Sequence, residues 1–374
     1  MFVQVSAQTD TSSVNCLLRR IEKQQIKSDR FFIKGIFPSY IDQAYKGFST
    51  KNKDNNIFFS ALILYTLETL KPSLDHSSQQ IIDTIIANTS VLFPKFVNQT
   101  GRGTYNFWRT DTAFPFPYNR WMEHITHSWQ LPDDMDDTVM SLMAQQADDS
   151  TAKRMHTLMQ GFSAYSPKKV RTVPKKYSTI PAYSTWFGKK FPVFYDVCVA
   201  SNVLTFVQQY QLAWTKADNA NLQLLLTAIA SKDYIKKVGA ISPYYMHSSV
   251  VLYHFARLMQ VKEIPLLTPY KPQLIEDALG LYANSHNLLE KLMLSSAIHK
   301  WGYDPPALIL PANNELYDLI EQNDLPFFVG NMAAYFAKPF NKILMASLKK
   351  ILLYHHYCPA YNDVLLLEYL ALNK

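Results

Sequence analysis

The fold is decided by the stretch Leu131–Leu142, whose sequence is LPDDMDDTVMSL. It places four carboxylates within five residues, between a proline and an apolar run. Acidic residues before an apolar run are typical of a helix start, where they cap free N–H groups and meet the positive end of the helix dipole. The stretch therefore predicts a helix from about Asp133 to Gln146. Capping needs only one or two carboxylates, so the remaining acids require another explanation.

Apolar runs with polar starts recur along the chain, and each predicts a buried helix. They span 57–70, 133–146, 196–210, 244–259, 287–301 and one of the two segments 341–356 and 362–372. Amphipathic segments that predict outer helices follow several of them, at 77–92, 150–162, 218–235 and 272–283. The starts of the buried helices lie roughly 40–75 residues apart, which is too long and too irregular for a solenoid repeat.

This alternation predicts an all-α fold, a single α/α toroid of about six inner and six outer helices. Residues 1–12 are expected to form a flexible N-terminal arm, and residues 13–374 the toroid domain. In such a barrel the inner helices run parallel, so their N-termini open on the same end of a central cavity. The polar helix starts are therefore expected to meet at one end.

The composition fits a soluble helical protein with a large core. Of 374 residues 48% are hydrophobic, and the low glycine count of 10 beside 20 prolines favours helices joined by proline-punctuated loops. The net charge of +7 is scattered and accompanies no nucleic-acid-binding motif. Three widely spaced cysteines, no evident signal peptide and no transmembrane segment predict a cytoplasmic protein whose oligomeric state stays open.

The acidic cluster has a structural and a functional interpretation. As caps, Asp133, Asp134, Asp136 and Asp137 would only stabilise the start of a helix. Like charges held close together raise the pKa of at least one carboxyl, so a protonated member could act as a general acid. A fully ionised cluster could instead bind Mg²⁺.

The segment Asp134–Thr138 resembles the D-x-D-D-T motif of class II terpene cyclases, whose fold is an α/α toroid. The resemblance implies that Asp136 protonates an alkene or epoxide, that Asp133, Asp134 and Asp137 tune it, and that the ligand is an apolar or isoprenoid small molecule. Class II cyclases usually have two helical barrels, whereas this chain has the length of one. The Q-x-x-x-G-x-W repeats of the triterpene branch are absent from the sequence.

Further residues are expected to line the mouth of the same cavity. They are Asp54, Asp196 and Asn202, with aromatic walls from Tyr195 and Tyr245. Aromatic faces stabilise cations, as terpenoid pockets require. A buried Asn needs hydrogen-bond partners, so Asn202 is either a cavity-lining residue or a tie between helices.

The same acids also resemble the D-D-x-x-D motif of class I terpene synthases, through Asp133, Asp134 and Asp137. This resemblance implies Mg²⁺ bound together with a diphosphate substrate. The second metal motif of that family is absent. No other cofactor is predicted with certainty.

Asp196, Cys198 and His247 resemble the zinc ligands of protein prenyltransferase β subunits, which are also α/α toroids. Asp, Cys and His are the ligand types of a catalytic zinc with an open position. Cys198 is equally explained as a small core residue and His247 as a polar residue at a helix start. The sequence favours this second interpretation, since the glycine-rich turns of that family are missing.

Two other classes of function compete with a terpenoid-cyclase-like enzyme. A carbohydrate-active α/α barrel would use Asp136 with Asp54 or Asp196 as a pair of separated carboxylates. A non-catalytic binding or scaffold toroid would need the acids only as helix caps.

Overall fold

The computed structural model describes residues 11–43, 51–111, 132–164, 170, 172–188, 193–311, 314–323, 325–331, 343 and 353–373. Within these ranges the protein is mostly helical, with fourteen α-helices and one small sheet. The predicted arm at 1–12 lies largely outside them, and its last two residues already belong to the first helix, α1 (Thr11–Gln24). The aromatic segment 114–118 and most of the segment 341–356 also lie outside the described residues.

Six helices pack side by side in a closed cycle. They are α2 (Phe58–Leu70), α4 (Met135–Ala144), α6 (Val197–Gln209), α10 (Ser248–Val261), α12 (Leu288–Lys300) and α14 (Pro359–Leu372). Each contacts the next in this order, and α14 contacts α2. Their sequences are apolar nearly all round because each is enclosed by neighbours; all ten residues of α4 are buried. These six helices correspond to the apolar runs that the sequence predicts as buried.

Other helices cover the outside of this cycle. They are α1, α3 (His76–Ser90), α5 (Asp149–Gln160), α7 (Lys216–Ala230), α8 (Asp233–Lys236), α9 (Val238–Ile241), α11 (Lys271–Asn284) and α13 (Asn314–Gln322). The longer ones are amphipathic: α3 buries Ile81, Ile82 and Ile85 and leaves its other face polar. Helix α7 packs on α6, α11 packs on α12, and α1 packs on α14 and α3.

A four-stranded antiparallel sheet corrects the all-α prediction. Its strands are β1 (Ser39–Gln43), β2 (Asn52–Asp54), β3 (Phe328–Asn331) and β4 (Leu353–Tyr357), in the order β2-β1-β4-β3. The predicted helix at 341–356 is therefore wrong at its end, where β4 pairs with β1 and β3. The run Leu353–Tyr357 is too short to show a helical period, and one of its pairing partners, β1, lies far away in the chain.

The sheet lies at the end of the cycle where the N-termini of several helices meet. Phe58 of α2, Asp136 of α4 and Val199 of α6 line one cavity there, together with β3. The C-terminal halves of α2, α10, α12 and α14 line a second cavity. These helices thus run in a common direction. No described helix has the length and apolarity needed to span a bilayer.

Candidate functional site

The cavity at the N-terminal end has aromatic walls and an acidic floor. Its volume is about 80 Å³, and the walls include Phe58, Phe107, Trp108, Trp186, Tyr244 and Phe328. Asp134, Asp136 and Asp137 line it from the start of α4. The volume is several times the roughly 10–15 Å³ that one water requires, so a small ligand group can enter.

Asp134 is the N-cap of α4. Its Oδ1 accepts hydrogen bonds from the backbone N–H groups of Asp136, at 2.6 Å, and Asp137, at 3.3 Å. Its own backbone N–H donates to Tyr105 at 3.0 Å, which fixes the entry of the chain into the helix. Burial, and then the charge of Asp136, raises the pKa of Asp134 well above the ordinary value. The two backbone donors act in the opposite direction.

Asp136 is held by two side-chain donors. Asn202 Nδ2 donates to its Oδ1 at 2.5 Å, and the hydroxyl of Tyr245 donates to its Oδ2. Arg257 donates to the amide oxygen of Asn202. A guanidinium can only donate, so it fixes the orientation of this amide and turns Nδ2 towards Asp136. Burial raises the pKa of Asp136, while the two donors and the charge of Arg257 oppose that rise.

Asp137 has no such support. Its side chain is 2% exposed, lines the cavity, and has an Oδ1 atom without a hydrogen-bond partner among the described residues. Burial and the charges of Asp134, Asp136 and Asp133 raise its pKa well above the ordinary value. Hydrogen bonds oppose the rise in pKa at Asp134 and Asp136, whereas all the causes of the shift at Asp137 raise its pKa.

Asp133 belongs to a separate arrangement. Its Oδ2 pairs with Arg102 and accepts hydrogen bonds from Asn98 at 2.6 Å and Thr104 at 2.5 Å. These partners tie the loop before α4 to the segment 98–104. The four acids thus divide into one cap, one ion-paired anchor and two further carboxyls that capping does not explain.

Asp54 supports one wall of the cavity. Its Oδ1 accepts from the indole N–H of Trp108 at 2.9 Å, and its Oδ2 accepts from Asn56 at 2.7 Å. His356 Nδ1 lies 3.6 Å from Oδ2, and the ring of His356 stacks on Phe328 with centroids 4.5 Å apart. Asp54 acts here as an acceptor that holds Trp108 in place.

Asp196 caps α6 and ties it to the segment before α10. Its oxygens accept from the backbone N–H of Cys198 at 2.8 Å, the hydroxyl of Ser242 at 2.7 Å and the backbone N–H of Tyr244 at 3.0 Å. Burial raises the pKa of Asp196 to about 7, although these donors favour the charged form. Tyr244 is a wall residue, so Asp196 helps to position the cavity wall.

The structure does not assemble the zinc site that the sequence suggested. His247 lies 3.7 Å from Glu290 of α12, and Cys198 accepts from Ser242 at 3.4 Å. Among the described residues no group of three His, Cys, Asp or Glu side chains could hold a metal ion. The predicted Mg²⁺ ligands Asp133, Asp134 and Asp137 do not form such a group either, because Asp133 pairs with Arg102.

Of the remaining predicted residues, only some line the cavity. Tyr245 lines the cavity, whereas Tyr195 donates its hydroxyl to the carbonyl of Ile180. Asn202 is a tie between α4 and α10. The sequence interpretation missed His356, because it lies in β4 at the end of a segment predicted as a helix, and it assigned no strand to the residues of β3. Trp108 and Trp186 lie in loops. The aromatic and proline content of these loops was the only feature of the sequence that could have indicated a functional role.

No protein-family model, curated protein or solved structure matches this chain at a significant level. The site is therefore interpreted from its own geometry.

Proposed function

We propose that the protein is a terpenoid-cyclase-like enzyme, built as an α/α toroid, that protonates an isoprenoid double bond in the aromatic cavity. The closed cycle of six helices supports the toroid, with the small sheet as an addition at one end. The observation that carries the proposal is the carboxyl of Asp137, which is buried, unpartnered among the described residues and placed in an aromatic cavity.

Asp137 is the proton donor in this proposal, which differs from the role that the D-x-D-D-T resemblance gives to Asp136. Both oxygens of Asp136 accept hydrogen bonds and Arg257 lies behind it, and these contacts oppose the rise in pKa that burial causes. Two backbone donors oppose the rise in the pKa of Asp134 in the same way. Asp137 combines a raised pKa with a buried Oδ1 that has no hydrogen-bond partner among the described residues.

The reaction begins when the O–H bond of Asp137 breaks and its proton bonds to one carbon of the alkene. The π electrons form the new C–H bond, and the other carbon becomes cationic. The faces of Trp108, Trp186 and Phe328 stabilise this cation, and the carboxylate of Asp136 adds electrostatic stabilisation. Where a second double bond of the substrate attacks the cation, a ring forms and the charge moves to another carbon. Loss of a proton from a neighbouring carbon then quenches the charge, and the carboxylate of Asp137 takes up this proton directly or through water.

The test is incubation with linear polyprenyl diphosphates and with squalene in D₂O, followed by mass spectrometry. Protonation places one solvent deuterium in the product. Asp137→Asn is expected to lower turnover by at least about 10²-fold, as is typical for loss of a general acid. Asp149→Asn, an exposed acid in the next helix, serves as the matched control. Unchanged turnover of the Asp137 variant would remove it from the mechanism.

A non-catalytic scaffold is the second candidate, and one observation favours it. Directly below Asp136 the interior of the helix cycle is occupied by Asn202 and Arg257, and the ring of Tyr65 lies 5.6 Å from the guanidinium. Side chains that occupy the interior are what a scaffold requires, and a scaffold would bind no ligand in the cavity. Saturable binding of an amine that carries an isoprenoid tail, which mimics the cation, would exclude the scaffold role; absence of binding would favour it.

A further inference from the structure

A second cavity, of about 170 Å³, lies at the C-terminal end of the helix cycle. It is lined by Tyr65 and Thr66 of α2, Tyr253 and Arg257 of α10, Lys300 of α12 and Glu368 of α14. It is distinct from the aromatic cavity, to which none of these residues contributes. A ligand in this second cavity would therefore be independent of the proposed function.

The charges around this cavity do not balance. Lys300 Nζ lies 2.8 Å from Glu368 Oε1, and Glu368 Oε2 accepts the hydroxyl of Tyr253 at 2.7 Å. Glu368 is thus fully engaged by Lys300 and Tyr253. In the part of the chain that the structure describes, no carboxylate directly contacts the guanidinium of Arg257, because Asp136 lies beyond the amide of Asn202.

Arg257 is only 5% exposed, so its charge is removed from bulk water. Nη2 donates to Asn202, but Nε and Nη1 are buried and have no acceptor among the described residues. The rings of Tyr65 and Tyr253 lie 5.6 Å and 5.8 Å from the guanidinium carbon. These rings give partial compensation through cation–π attraction, but they do not accept the N–H groups as an oxygen does. A buried charge with unmade hydrogen bonds is costly.

We propose that this cavity binds a small oxyanion, such as a phosphate or a carboxylate, against the guanidinium of Arg257 with Lys300 at its side. Nε and Nη1 are closed to a water-sized molecule, so a small shift of the guanidinium must bring one of them to an oxygen of the anion, whose negative charge compensates the buried cation. The partial negative charge at the C-termini of the surrounding helices opposes the anion. The dissociation constant is therefore expected to be on the order of millimolar, which is weak but measurable.

The experiment titrates inorganic phosphate and acetate separately into the full chain at constant ionic strength, with chloride as the reference salt. The readouts are the thermal unfolding midpoint and the heat of binding by calorimetry. A saturable rise of the unfolding midpoint with phosphate alone identifies a phosphate site. A rise of the midpoint with both phosphate and acetate identifies a general oxyanion site. Equal midpoints in all three salts and no binding heat would overturn the proposal.

Two glutamines allow the site to be located without replacing a buried residue. Gln260 is exposed, lines the cavity and accepts a hydrogen bond from Lys300 at 2.9 Å. Gln260→Glu keeps this bond and adds a negative charge, so the dissociation constant should rise about tenfold or more. Gln223→Glu makes the same change at an exposed position of α7, away from this cavity, and should leave binding unchanged. Equal affinities of the two variants would refute the site.

Arg257→Gln tests the guanidinium directly. It should abolish the saturable response to the anion while it keeps a donor for Asn202. If this variant does not fold, the Gln260 and Gln223 pair still decides the proposal.

Discussion

Asp196 provides a quantitative test of the site, because it is a buried carboxyl that several donors hold at the start of α6. Its side chain is 2% exposed and joins α6 to Ser242 and Tyr244. Burial raises its pKa from the ordinary 3.8 to about 7. Asp196→Asn removes the titration but keeps a similar shape and an acceptor oxygen. We expect the variant to lose the part of the pH dependence of stability that Asp196 causes.

The direction follows from the raised pKa. Between pH 3.8 and about 7 the folded state binds a proton at Asp196 that the unfolded state has released. Stability is therefore highest at the acidic side of this window and falls as the pH rises through it. Between about pH 5 and pH 7.5 the loss from this one group is about 2.5 kcal/mol.

The assay is urea unfolding at several pH values from about 5 to 7.5. The free energy of unfolding of wild type should fall by about 2.5 kcal/mol more than that of Asp196→Asn over this range. The control is Asp148→Asn, the same substitution at the N-cap of α5, where hydrogen bonds hold the pKa of Asp148 below the ordinary value. That control should retain the wild-type slope. Parallel curves for wild type and Asp196→Asn would refute the assignment of a raised pKa.

Three further outcomes follow from the contacts. Asn202→Leu should lower the free energy of unfolding in urea by about 3–5 kcal/mol, because the buried charges of Asp136 and Arg257 lose their shared partner. The control Ser201→Ala, in the same helix, should lower it by less than about 1 kcal/mol. Equal losses would contradict the role of Asn202 as a link between α4 and α10. Asp133→Asn should cost about 1–3 kcal/mol because Arg102 loses its partner, and an unchanged unfolding midpoint would show that this anchor is unimportant. Equimolar zinc should leave the thermal unfolding midpoint unchanged, because His247 faces Glu290. A higher midpoint with zinc would instead support a metal site at Asp196, Cys198 and His247.

The helices could be predicted because their signals are local. The apolar runs at 57–70 and 287–301 differ from the helices of the structure by at most one residue at each end. Acidic caps also follow from sequence, since Asp134 and Asp196 both precede apolar helices and both accept backbone N–H groups.

Neither the sheet nor the different roles of the four clustered aspartates could be predicted from the sequence, because both depend on contacts with residues distant in the chain. Strand β4 is specified by its pairing with β1, more than 300 residues away. Asp133 and Asp137 are the same residue type in the same cluster, yet Arg102 reaches only the first of them. Nothing in the motif itself marks which carboxyl acquires a partner.

The polar contacts inside the helix cycle constrain how a substrate could reach the acids. Asn202 and Arg257 lie between Asp136 and the second cavity, which Arg257 and Tyr65 line. A ligand therefore cannot approach along the axis from the C-terminal end, and must enter between the sheet and the aromatic loops that carry Trp108 and Trp186. A cavity of about 80 Å³ at that entrance accommodates one end of a linear isoprenoid rather than a folded multi-ring skeleton. If the protein is the proposed enzyme, the first protonation is the step that the described residues can direct. A product with one new ring or a shifted double bond would agree with this geometry, and a tetracyclic or pentacyclic product would contradict it.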